Sequence, residues 1–386
     1  MLRFGVIGMG LRMAGVAKCI LETGDCALTA VADIDPDGAR KRIREHLGWT
    51  QEETDRVRFY ESAEAMLDAE ELDGVCIGTR CSLHARLADL VIRRGIPLFL
   101  EKPVAIGWDG VACLEKALQE VPEMREKVVV SFPLRLTNLV RAAREIVRSG
   151  RLGTIEHVQA VNNVPYGRVY FHGWYRDEAE TGGLWLQKAT HDFDYINSIL
   201  EIRPVEICAM MSKQIFKGEK PAGMRCDDCD DQKTCPESPA NVRWHADEDC
   251  HGHGCCFAKD TGNQDSGSAI IRYETGMHAV YSQNFFARKE AGKRGARFLG
   301  YRGTVEFDWQ SSEVRVYMHN EDRTETERFD EKEGHGGGDW ELAHNFAEVM
   351  AGRAESMAPL QAGILSAKMC LKARESCETR TFQTIE

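Results

Sequence analysis

The start of the chain carries an apolar run, two glycines and then a helical pattern. Apolar residues crowd into 2–7, a run too short for a helix and typical of a buried parallel strand. Gly8 and Gly10 interrupt the run, and helical spacing of apolar positions resumes over 11–21. The pattern predicts a strand, a tight turn and a helix, in that order.

The same alternation of short apolar runs with helical patterns continues to residue 132. It predicts a doubly wound parallel sheet, an α/β architecture in which ligands bind beyond the carboxyl ends of the strands. The further strands are expected at 28–32, 57–60, 74–79, 97–100 and 127–132.

Past residue 150 the hydrophobic pattern changes. Residues 155–161 largely alternate between apolar and polar, which is typical of a half-buried strand in an antiparallel sheet. The second half of the chain is therefore predicted to be α+β. Its later strands are expected at 268–273, 278–285, 297–299, 303–307 and 313–317, and its closing helices at 340–350 and 362–377.

The two glycines between the first strand and helix open a dinucleotide-binding fingerprint. Gly8 allows the tight turn, and Gly10 has no side chain to keep a pyrophosphate from the N–H groups of the helix. Met13 stands where the fingerprint has its third glycine, so an ordinary α/β turn is the alternative. The residues expected to hold the cofactor here are Gly8, Met9, Gly10, Leu11 and Arg12.

Asp33 ends the second apolar run, near the distance from Gly10 expected for a ribose-binding carboxylate. A carboxylate accepts hydrogen bonds from a 2′-hydroxyl and repels a 2′-phosphate, so the sequence favours NAD. Arg40 and Lys41 follow closely enough to leave NADP possible.

Composition limits the class of protein. A chain of 386 residues exceeds one ordinary core and indicates two domains. A formal net charge of −12 argues against a nucleic-acid surface. No apolar stretch is long enough to span a bilayer, and the first residues lack signal-peptide architecture. We therefore expect a cytoplasmic protein whose 14 cysteines are mostly reduced.

Glu101, Lys102 and Pro103 follow the strand expected at 97–100. A lysine at the carboxyl end of a parallel strand faces the ligand crevice, although a solvated surface lysine is the alternative. Together with the Gly-x-Gly turn, Asp33 and the loop at 79–84, this element resembles the Gfo/Idh/MocA oxidoreductases, which include inositol dehydrogenase. The resemblance implies that Lys102 lies beside the nicotinamide and the reacting carbon. It also implies a cofactor-binding set of Thr79, Arg80, His84, Glu101 and Lys102.

The densest candidate chemistry lies at 181–195. A glycine pair precedes Lys188, His191 and Asp194, whose spacing of three places a cation, an imidazole and a carboxylate on one helical face. A histidine titrates in the range needed to remove a hydroxyl proton, and a nearby lysine can polarise the oxygen. A buried structural histidine bonded to Asp194 is the alternative reading.

This stretch is similar to the second signature of the family, a glycine pair followed by His-x-x-Asp. Many family dehydrogenases carry aspartate four residues before the histidine, whereas this chain has Gln187. Glutamine cannot supply the negative charge that would activate His191. The resemblance nevertheless implies catalytic roles for Lys102 and His191, and the spacing assigns Lys188 an assisting catalytic role beside them. Substrate contacts are expected for Lys102 and Asp194.

The resemblance also organises the chain. It implies a dinucleotide-binding domain at 1–132 and a substrate domain at 133–386, with a large, mostly antiparallel sheet whose open face forms a homodimer or homotetramer interface. Arg135 follows the crossover point, and His335 lies in a glycine-rich loop at 334–339. Both are expected to contact substrate, although the glycines around His335 would equally let the chain cross the sheet.

A cysteine-rich insertion occupies 220–262 and has too few apolar residues for a core of its own. The spacing Cys226-x2-Cys229-x5-Cys235 suits structural zinc, with Cys250, Cys255 or Cys256 as fourth ligand and His251 or His253 not excluded. The four residues predicted to bind the metal are Cys226, Cys229, Cys235 and Cys250. An iron–sulfur cluster, disulfides and a disordered loop are the alternatives.

The sequence therefore predicts an NAD(P)-dependent oxidoreductase that transfers hydride to or from a polyhydroxylated small molecule such as a sugar or an inositol. Hydroxyl-rich substrates are implied by the resemblance alone. Two other functions remain open: an enzyme that retains NAD and uses transient oxidation for elimination or glycoside cleavage, and a non-catalytic nucleotide sensor.

Overall fold

The protein is described by a computed structural model over residues 1–241, 253–330 and 333–386, without the side chains of residues 333 and 334. The chain separates into two compact units. The first unit comprises Met1–Asn138 and Glu331–Lys368. The second comprises Leu139–Asp330 and Met369–Glu386.

Helices and strands are numbered in chain order within the described residues. The helices are α1 (Leu11–Leu21), α2 (Pro36–Leu47), α3 (Gln51–Asp55), α4 (Ala63–Ala69), α5 (His84–Ile92), α6 (Trp108–Glu120), α7 (Asn138–Arg148), α8 (Val169–His172), α9 (Glu178–Thr181), α10 (Thr190–Leu200), α11 (Glu333–Gly336), α12 (Gly338–Met350) and α13 (Leu360–Thr379). The strands are β1 (Leu2–Ile7), β2 (Cys26–Ala32), β3 (Arg58–Tyr60), β4 (Gly74–Ile77), β5 (Leu98–Leu100), β6 (Val128–Val130), β7 (Ile155–Asn163), β8 (Pro204–Ser212), β9 (Ser266–Tyr273), β10 (His278–Asn284), β11 (Lys293–Gly300), β12 (Gly303–Asp308), β13 (Glu313–Met318), β14 (Thr324–Arg328) and β15 (Gln383–Thr384).

The first unit contains the doubly wound parallel sheet that the hydrophobic pattern predicted. Its six strands lie in the order β3-β2-β1-β4-β5-β6, and every pairing is parallel. Strands β4, β5 and β6 are buried along their whole length, which explains their uninterrupted apolar runs. Because the order reverses between β1 and β4, the carboxyl ends of these two strands flank the crevice where ligands bind.

The second unit contains the large sheet, which is mostly antiparallel as expected. Within the described residues, its nine strands lie in the order β14-β13-β12-β11-β7-β10-β9-β8-β15, and only the pairing of β7 with β10 is parallel. In β9, buried and non-buried residues alternate strictly, so one face of this strand packs against the core.

Some local features add to the sequence prediction or differ from it. Helix α2 begins at Pro36, because proline suits a first helical position and the Asp35 carboxylate accepts a hydrogen bond from Gly38 N–H at 3.0 Å. The stretch 185–189 before α10 forms a wider π-type turn. The loop expected at 334–339 contains the short helix α11.

Candidate active site

The first glycine of the turn after β1 is Gly8, and no other residue fits at this position. Gly8 has φ +84°, and a Cβ there would lie 2.7 Å from Thr79 Cγ2 and 2.9 Å from Thr79 N. Both the backbone conformation and the crowding therefore require glycine.

The space of the missing third glycine is supplied by Gly78, which directly follows β4, the sheet neighbour of β1. Met13 is fully buried, and a Cβ added to Gly78 would lie 2.7 Å from its Cε atom. The fingerprint uses its third glycine for close helix–strand packing. Here Gly78 gives the Met13 side chain the space that this packing needs.

The second glycine leaves open space at the start of α1. Gly10 is the N-cap of this helix, and no side chain caps it. The nearest atom to a Cβ at Gly10 would be Gly78 O, at 3.9 Å, so the protein itself does not demand glycine here. The N–H groups of the first turn are thus open to an anion. This arrangement fits the pyrophosphate of a dinucleotide.

Asp33 lies at the carboxyl end of β2, next to the turn. One carboxylate oxygen accepts a hydrogen bond from Met9 N–H at 2.8 Å, and the other accepts from Asp35 N–H at 2.9 Å. Arg42 on α2 lies 3.7 Å from the Met9-bound oxygen and also donates to the Met9 carbonyl. The carboxylate is therefore fixed where the fingerprint places the ribose contact.

Arg42 was not among the basic residues singled out from the sequence. Arg40 pairs with Asp37 at 3.1 Å and stacks on Phe59 at 4.1 Å, whereas Lys41 lies 3.8 Å from Glu45. Neither contacts Asp33. The cation beside the Asp33 carboxylate is instead Arg42, which follows Arg40 by two residues on α2.

His84 joins two of the predicted cofactor-binding segments. Its Nδ1 lies 2.8 Å from the Pro103 carbonyl oxygen and its Nε2 lies 3.2 Å from that of Thr79. The side chain is buried, and burial lowers its pKa below the usual value. A neutral imidazole donates from one nitrogen only, so His84 donates to one of the two carbonyls. It ties the loop to the turn that carries Lys102.

The remaining residues of these segments lie near the surface of the first unit. Thr79 and Lys102 are half-buried, and Arg80 is exposed. The Lys102–Pro103 peptide bond is cis. The N–H of Lys102 donates to the Glu101 carboxylate at 3.3 Å.

Arg12 at the start of α1 connects three parts of the first unit. Its guanidinium donates to Glu101 at 2.8 Å, to the Ser131 hydroxyl at 3.0 Å and to Asp339 at 2.6 Å. Two carboxylates thus hold a residue that the sequence assigned to the cofactor. These bonds give Arg12 a structural role at the start of α1.

His335, expected to contact substrate, bonds to the same network. Its Nδ1 lies 2.8 Å from Asp339, and its φ is +50°. Burial raises the pKa of Asp339, but the His335 and Arg12 contacts outweigh it and hold that pKa well below the usual range. Arg135, another predicted substrate residue of this unit, donates to the Met357 carbonyl at 2.9 Å.

In the second unit, Gln187 stands where many family members have aspartate, and its side chain bonds to the residue before the glycine pair. Gly182 and Gly183 have φ +72° and +86°. The Gln187 side chain is 1% exposed and donates to the Thr181 carbonyl at 3.1 Å. A carboxylate could not make this bond, because it has no proton to donate. Gln187 therefore holds the loop ahead of the predicted catalytic residues.

Lys188 is 6% exposed, and its ammonium donates to the Tyr166 hydroxyl at 2.5 Å. It also lies 4.5 Å from the centre of the Tyr166 ring and 5.5 Å from that of Tyr170. Within the part of the chain that the structure describes, Lys188 has no carboxylate partner.

A buried network fixes the first turn of α10, where His191 and Asp194 are both buried. Asp192 is fully buried and accepts from Arg294 at 2.9 Å, from Asn162 at 2.8 Å and from the Tyr281 hydroxyl at 2.9 Å. Burial lowers the pKa of Arg294, but the Asp192 carboxylate outweighs burial and holds that pKa above its usual range. The carboxylate beside His191 is therefore held by a full set of donors.

Three of the four predicted metal ligands are described, and Cys250 lies outside the described residues. Among the described residues, no group of three or more His, Cys, Asp or Glu side chains is arranged to hold a metal ion. Cys226 N–H donates to the His253 carbonyl at 2.7 Å and Cys255 N–H to that of Met224 at 2.8 Å, so Cys226 and Cys255 lie on adjacent antiparallel segments. Burial, followed by the neighbouring thiols of Cys255, Cys235 and Cys229, raises the pKa of Cys226 to about 12.

Sequence reasoning missed Arg42, Tyr166 and Arg294. A basic residue soon after Asp33 is a signal for a partner of that carboxylate. Several basic residues lie in that part of the chain, however, and the sequence does not distinguish Arg42 from the others. Tyr166 and Arg294 precede and follow the 181–195 stretch at long separations, and neither belongs to a motif. They meet this stretch only through tertiary contacts.

Comparison with known proteins places both halves of the chain in one family. Residues 2–132 match the model described as the oxidoreductase family with an NAD-binding Rossmann fold. Residues 140–306 match the GFO/IDH/MocA C-terminal domain. The chain therefore belongs to the GFO/IDH/MocA oxidoreductase family, which confirms the resemblance seen in its motifs.

Curated relatives share part of the chain. Inositol 2-dehydrogenase of Rhizobium meliloti (strain 1021) is 30% identical over 222 residues, which are 57% of this chain and 62% of the relative. Rhizopine catabolism protein MocA of Rhizobium meliloti is 25% identical over 219 residues, 56% of this chain and 62% of the relative. The chain thus spans less than two thirds of the length of these relatives.

Solved structures share the whole fold. Levoglucosan dehydrogenase in complex with NADH and levoglucosan superposes with a TM-score of 0.78 at 15% identity, covering 100% of this chain and 99% of the other. The myo-inositol 2-dehydrogenase of Lactobacillus plantarum has a TM-score of 0.71 at 18% identity, with the same coverage. At these identities the similarity establishes the fold.

No helix in the described part of the chain is long and apolar enough to cross a membrane.

Proposed function

We propose that the protein is an NAD-dependent dehydrogenase of a polyhydroxylated small molecule, a sugar, an inositol or a derivative. The observation that carries the proposal is the uncapped start of α1 at Gly10, open to an anion and adjacent to the fixed Asp33 carboxylate. The names of the relatives, inositol 2-dehydrogenase and levoglucosan dehydrogenase, support the substrate class.

In this proposal the cofactor-binding residues are those of the turn, Asp33 and the segments around Thr79 and Lys102. Bound NAD would supply the hydride acceptor. Lys102 would position and polarise the reacting oxygen, and His191 would take or return its proton. Lys188 would assist from the π-type turn ahead of His191. Substrate contacts are proposed for Lys102, Arg135, Asp194 and His335.

The test is a screen of inositols, aldoses and sugar derivatives for NAD reduction, followed at 340 nm. Multiple-turnover formation of NADH with at least one of them is the expected result. The variants Lys102→Ala and His191→Ala should lower kcat by at least about 100-fold, the scale of general acid–base catalysis. Unchanged turnover in both variants would remove the assigned mechanism.

A second candidate function rests on Gln187. Glutamine carries no negative charge that would activate His191. We therefore propose, as the alternative, that the same site oxidises its substrate transiently and retains its NAD. It would acidify the carbon beside the oxidised one and permit elimination without net redox change. Product formation from a glycoside without accumulation of NADH would identify it. A nucleotide sensor would instead bind NAD and turn over nothing.

The division of labour follows the proposed domains, with dinucleotide binding at 1–132 and substrate binding and assembly at 133–386. We propose that the second sheet forms a homodimer or homotetramer. Met210 is 78% exposed and Ile270 is 47% exposed, and the pairing of Met210 with Ser268 places both on the same face of β8 and β9. Exposed apolar residues grouped on one sheet face are typical of an interface.

We also propose that the cysteine-rich segment holds structural zinc, with an iron–sulfur cluster as alternative. Cys229 N–H donates to the Cys226 carbonyl at 3.3 Å, and Cys226 lies beside the segment of Cys255. Elemental analysis of the purified protein should find about one zinc per chain, reduced in Cys226→Ser. Iron with visible absorbance would favour the cluster, and neither metal at a stoichiometric level would refute both.

A further inference from the structure

The geometry around Lys188 points to Tyr166. We infer that Tyr166 is a further catalytic residue, whose hydroxyl donates a hydrogen bond to the reacting oxygen of the substrate. Lys188 polarises the Tyr166 hydroxyl by donating a hydrogen bond to its oxygen. The inference rests on the proposed dehydrogenase function, and it assigns to this pair the stabilisation of negative charge that develops on that oxygen.

The first step concerns the direction of the hydrogen bond. An ammonium group has three donors and no acceptor, so in the 2.5 Å contact Lys188 donates and the Tyr166 oxygen accepts. The proton of the phenol is therefore directed to another acceptor. Accepting a bond from a cation makes the phenol a stronger donor in turn, because hydrogen bonds in a chain polarise one another.

The second step concerns burial. Lys188 is 6% exposed whereas Tyr166 is 50% exposed, so the charge is shielded from water and the phenol is accessible. The Tyr166 and Tyr170 rings provide further electrostatic attraction for the ammonium. A buried cation is thus bonded to a side chain that is half exposed.

The third step places Tyr166 relative to His191. Lys188 binds Tyr166, and Asp192 binds Asn162 at 2.8 Å, so the stretch on both sides of His191 is held against the end of β7 and the loop after it. Tyr166 therefore belongs to the part of the chain that holds the residues on both sides of His191.

The chemistry needs both groups. When the substrate alcohol is oxidised, the C–H electron pair leaves as hydride to the nicotinamide. The O–H electron pair becomes the second bond of the carbonyl, and His191 takes the proton. Tyr166 gains and loses no proton; its bond stabilises the oxygen while it carries negative charge. Gln187 supplies no such charge effect, so this pair compensates for the missing carboxylate.

The test uses the full chain and a substrate found in the screen. Tyr166→Phe removes the hydroxyl and keeps the ring under Lys188. We expect kcat to fall about 100-fold, the cost of one donor to a developing oxyanion, with KM changed less than about three-fold. Tyr273→Phe is the matched control, because it removes a buried hydroxyl bonded to Asn197 at 3.0 Å, and it should keep kcat.

A double-mutant cycle tests whether Lys188 acts through Tyr166. Lys188→Met should lower kcat about ten-fold in the native background, but should cost nothing further in Tyr166→Phe. Native kcat in Tyr166→Phe, or an equal loss from Lys188→Met in both backgrounds, would overturn the inference and leave the dehydrogenase proposal standing. Absence of any NAD-dependent turnover in the unmodified protein, with NAD bound, would instead refute the proposed function itself.

Discussion

At the residue scale, two glycines of one turn are glycine for different reasons. Gly8 is required by the protein, since its φ is +84° and a Cβ would lie 2.7 Å from Thr79. Gly10 has an ordinary φ of −78° and open space around it. We interpret the first as a folding requirement and the second as a ligand requirement.

This difference predicts opposite phenotypes for two alanine variants. Gly8→Ala should lower the free energy of unfolding by at least about 1 kcal/mol, because a left-handed conformation is strained in any L-residue. Gly10→Ala should melt like the native protein but bind NADH at least ten-fold more weakly in calorimetric titration. Equal affinity for NADH in Gly10→Ala would contradict the pyrophosphate assignment.

Asp33 predicts cofactor preference at the same scale. Asp33→Ser removes the charge that repels a 2′-phosphate and leaves Arg42, 3.7 Å away in the native protein, without its carboxylate. The ratio of kcat/KM for NAD to that for NADP should fall at least ten-fold, since a hydrogen bond to a charged group contributes about 1.5–3 kcal/mol. Lys41→Ser is the control and should leave the ratio unchanged, because Lys41 pairs with Glu45 instead.

At the scale of elements, the Gln187 amide bonds the π-type turn at 185–189 to the Thr181 carbonyl. Gln187→Glu keeps the length of the side chain but removes its donor and buries a charge. The free energy of unfolding should fall by about 2 kcal/mol or more, measured with urea. Gln310→Glu, at an exposed position, should change it by less than about 0.5 kcal/mol.

Helices α1 and α12 meet at a charge network whose effect depends on pH. Because the pKa of Asp339 is lower in the folded protein than its ordinary value near 4, its contribution to stability is complete above that value. It is lost as the pH falls toward the folded-state pKa. Asp339→Asn should therefore reduce the melting temperature at pH 6 more than at pH 3, and an equal reduction at both would contradict this origin.

At the scale of the whole molecule, the sheet of the second unit predicts assembly. Ile270→Asp places a charge on the exposed face of β9, where a partner copy would have to bury it. Light scattering coupled to gel filtration should show a smaller assembly than for the native protein. Tyr301→Asp, at an 83% exposed position outside the strands, should leave the mass unchanged.

Much of the fold followed from local patterns. The strands around Val6, Cys76 and Val129 are buried on both faces and so have continuous apolar runs, which are readable without any partner. The Gly-x-Gly turn and Asp33 were found because the dinucleotide fingerprint has a fixed spacing. The family, and through it the second sheet, was found in the same way and is confirmed.

The contacts of the candidate site were harder to predict from the sequence. Gln187 was recognised as a departure from the family, but its bond to Thr181 depends on the turn that closes between them. Residues such as Tyr166, Arg294 and Asp339 come close to motif residues across long stretches of chain. Side-chain identity at those positions has no periodicity, so no pattern marks it.

What the sequence determined alone was the succession of elements and the residue types at the turn, since backbone conformation and strand burial follow from near neighbours. The tertiary structure decided which partner each cation meets: Asp339 for Arg12, Asp192 for Arg294, and the Tyr166 hydroxyl for Lys188. Charge pairing depends on distances of a few ångströms between segments far apart in the chain. Those distances exist only after the sheets have formed and packed.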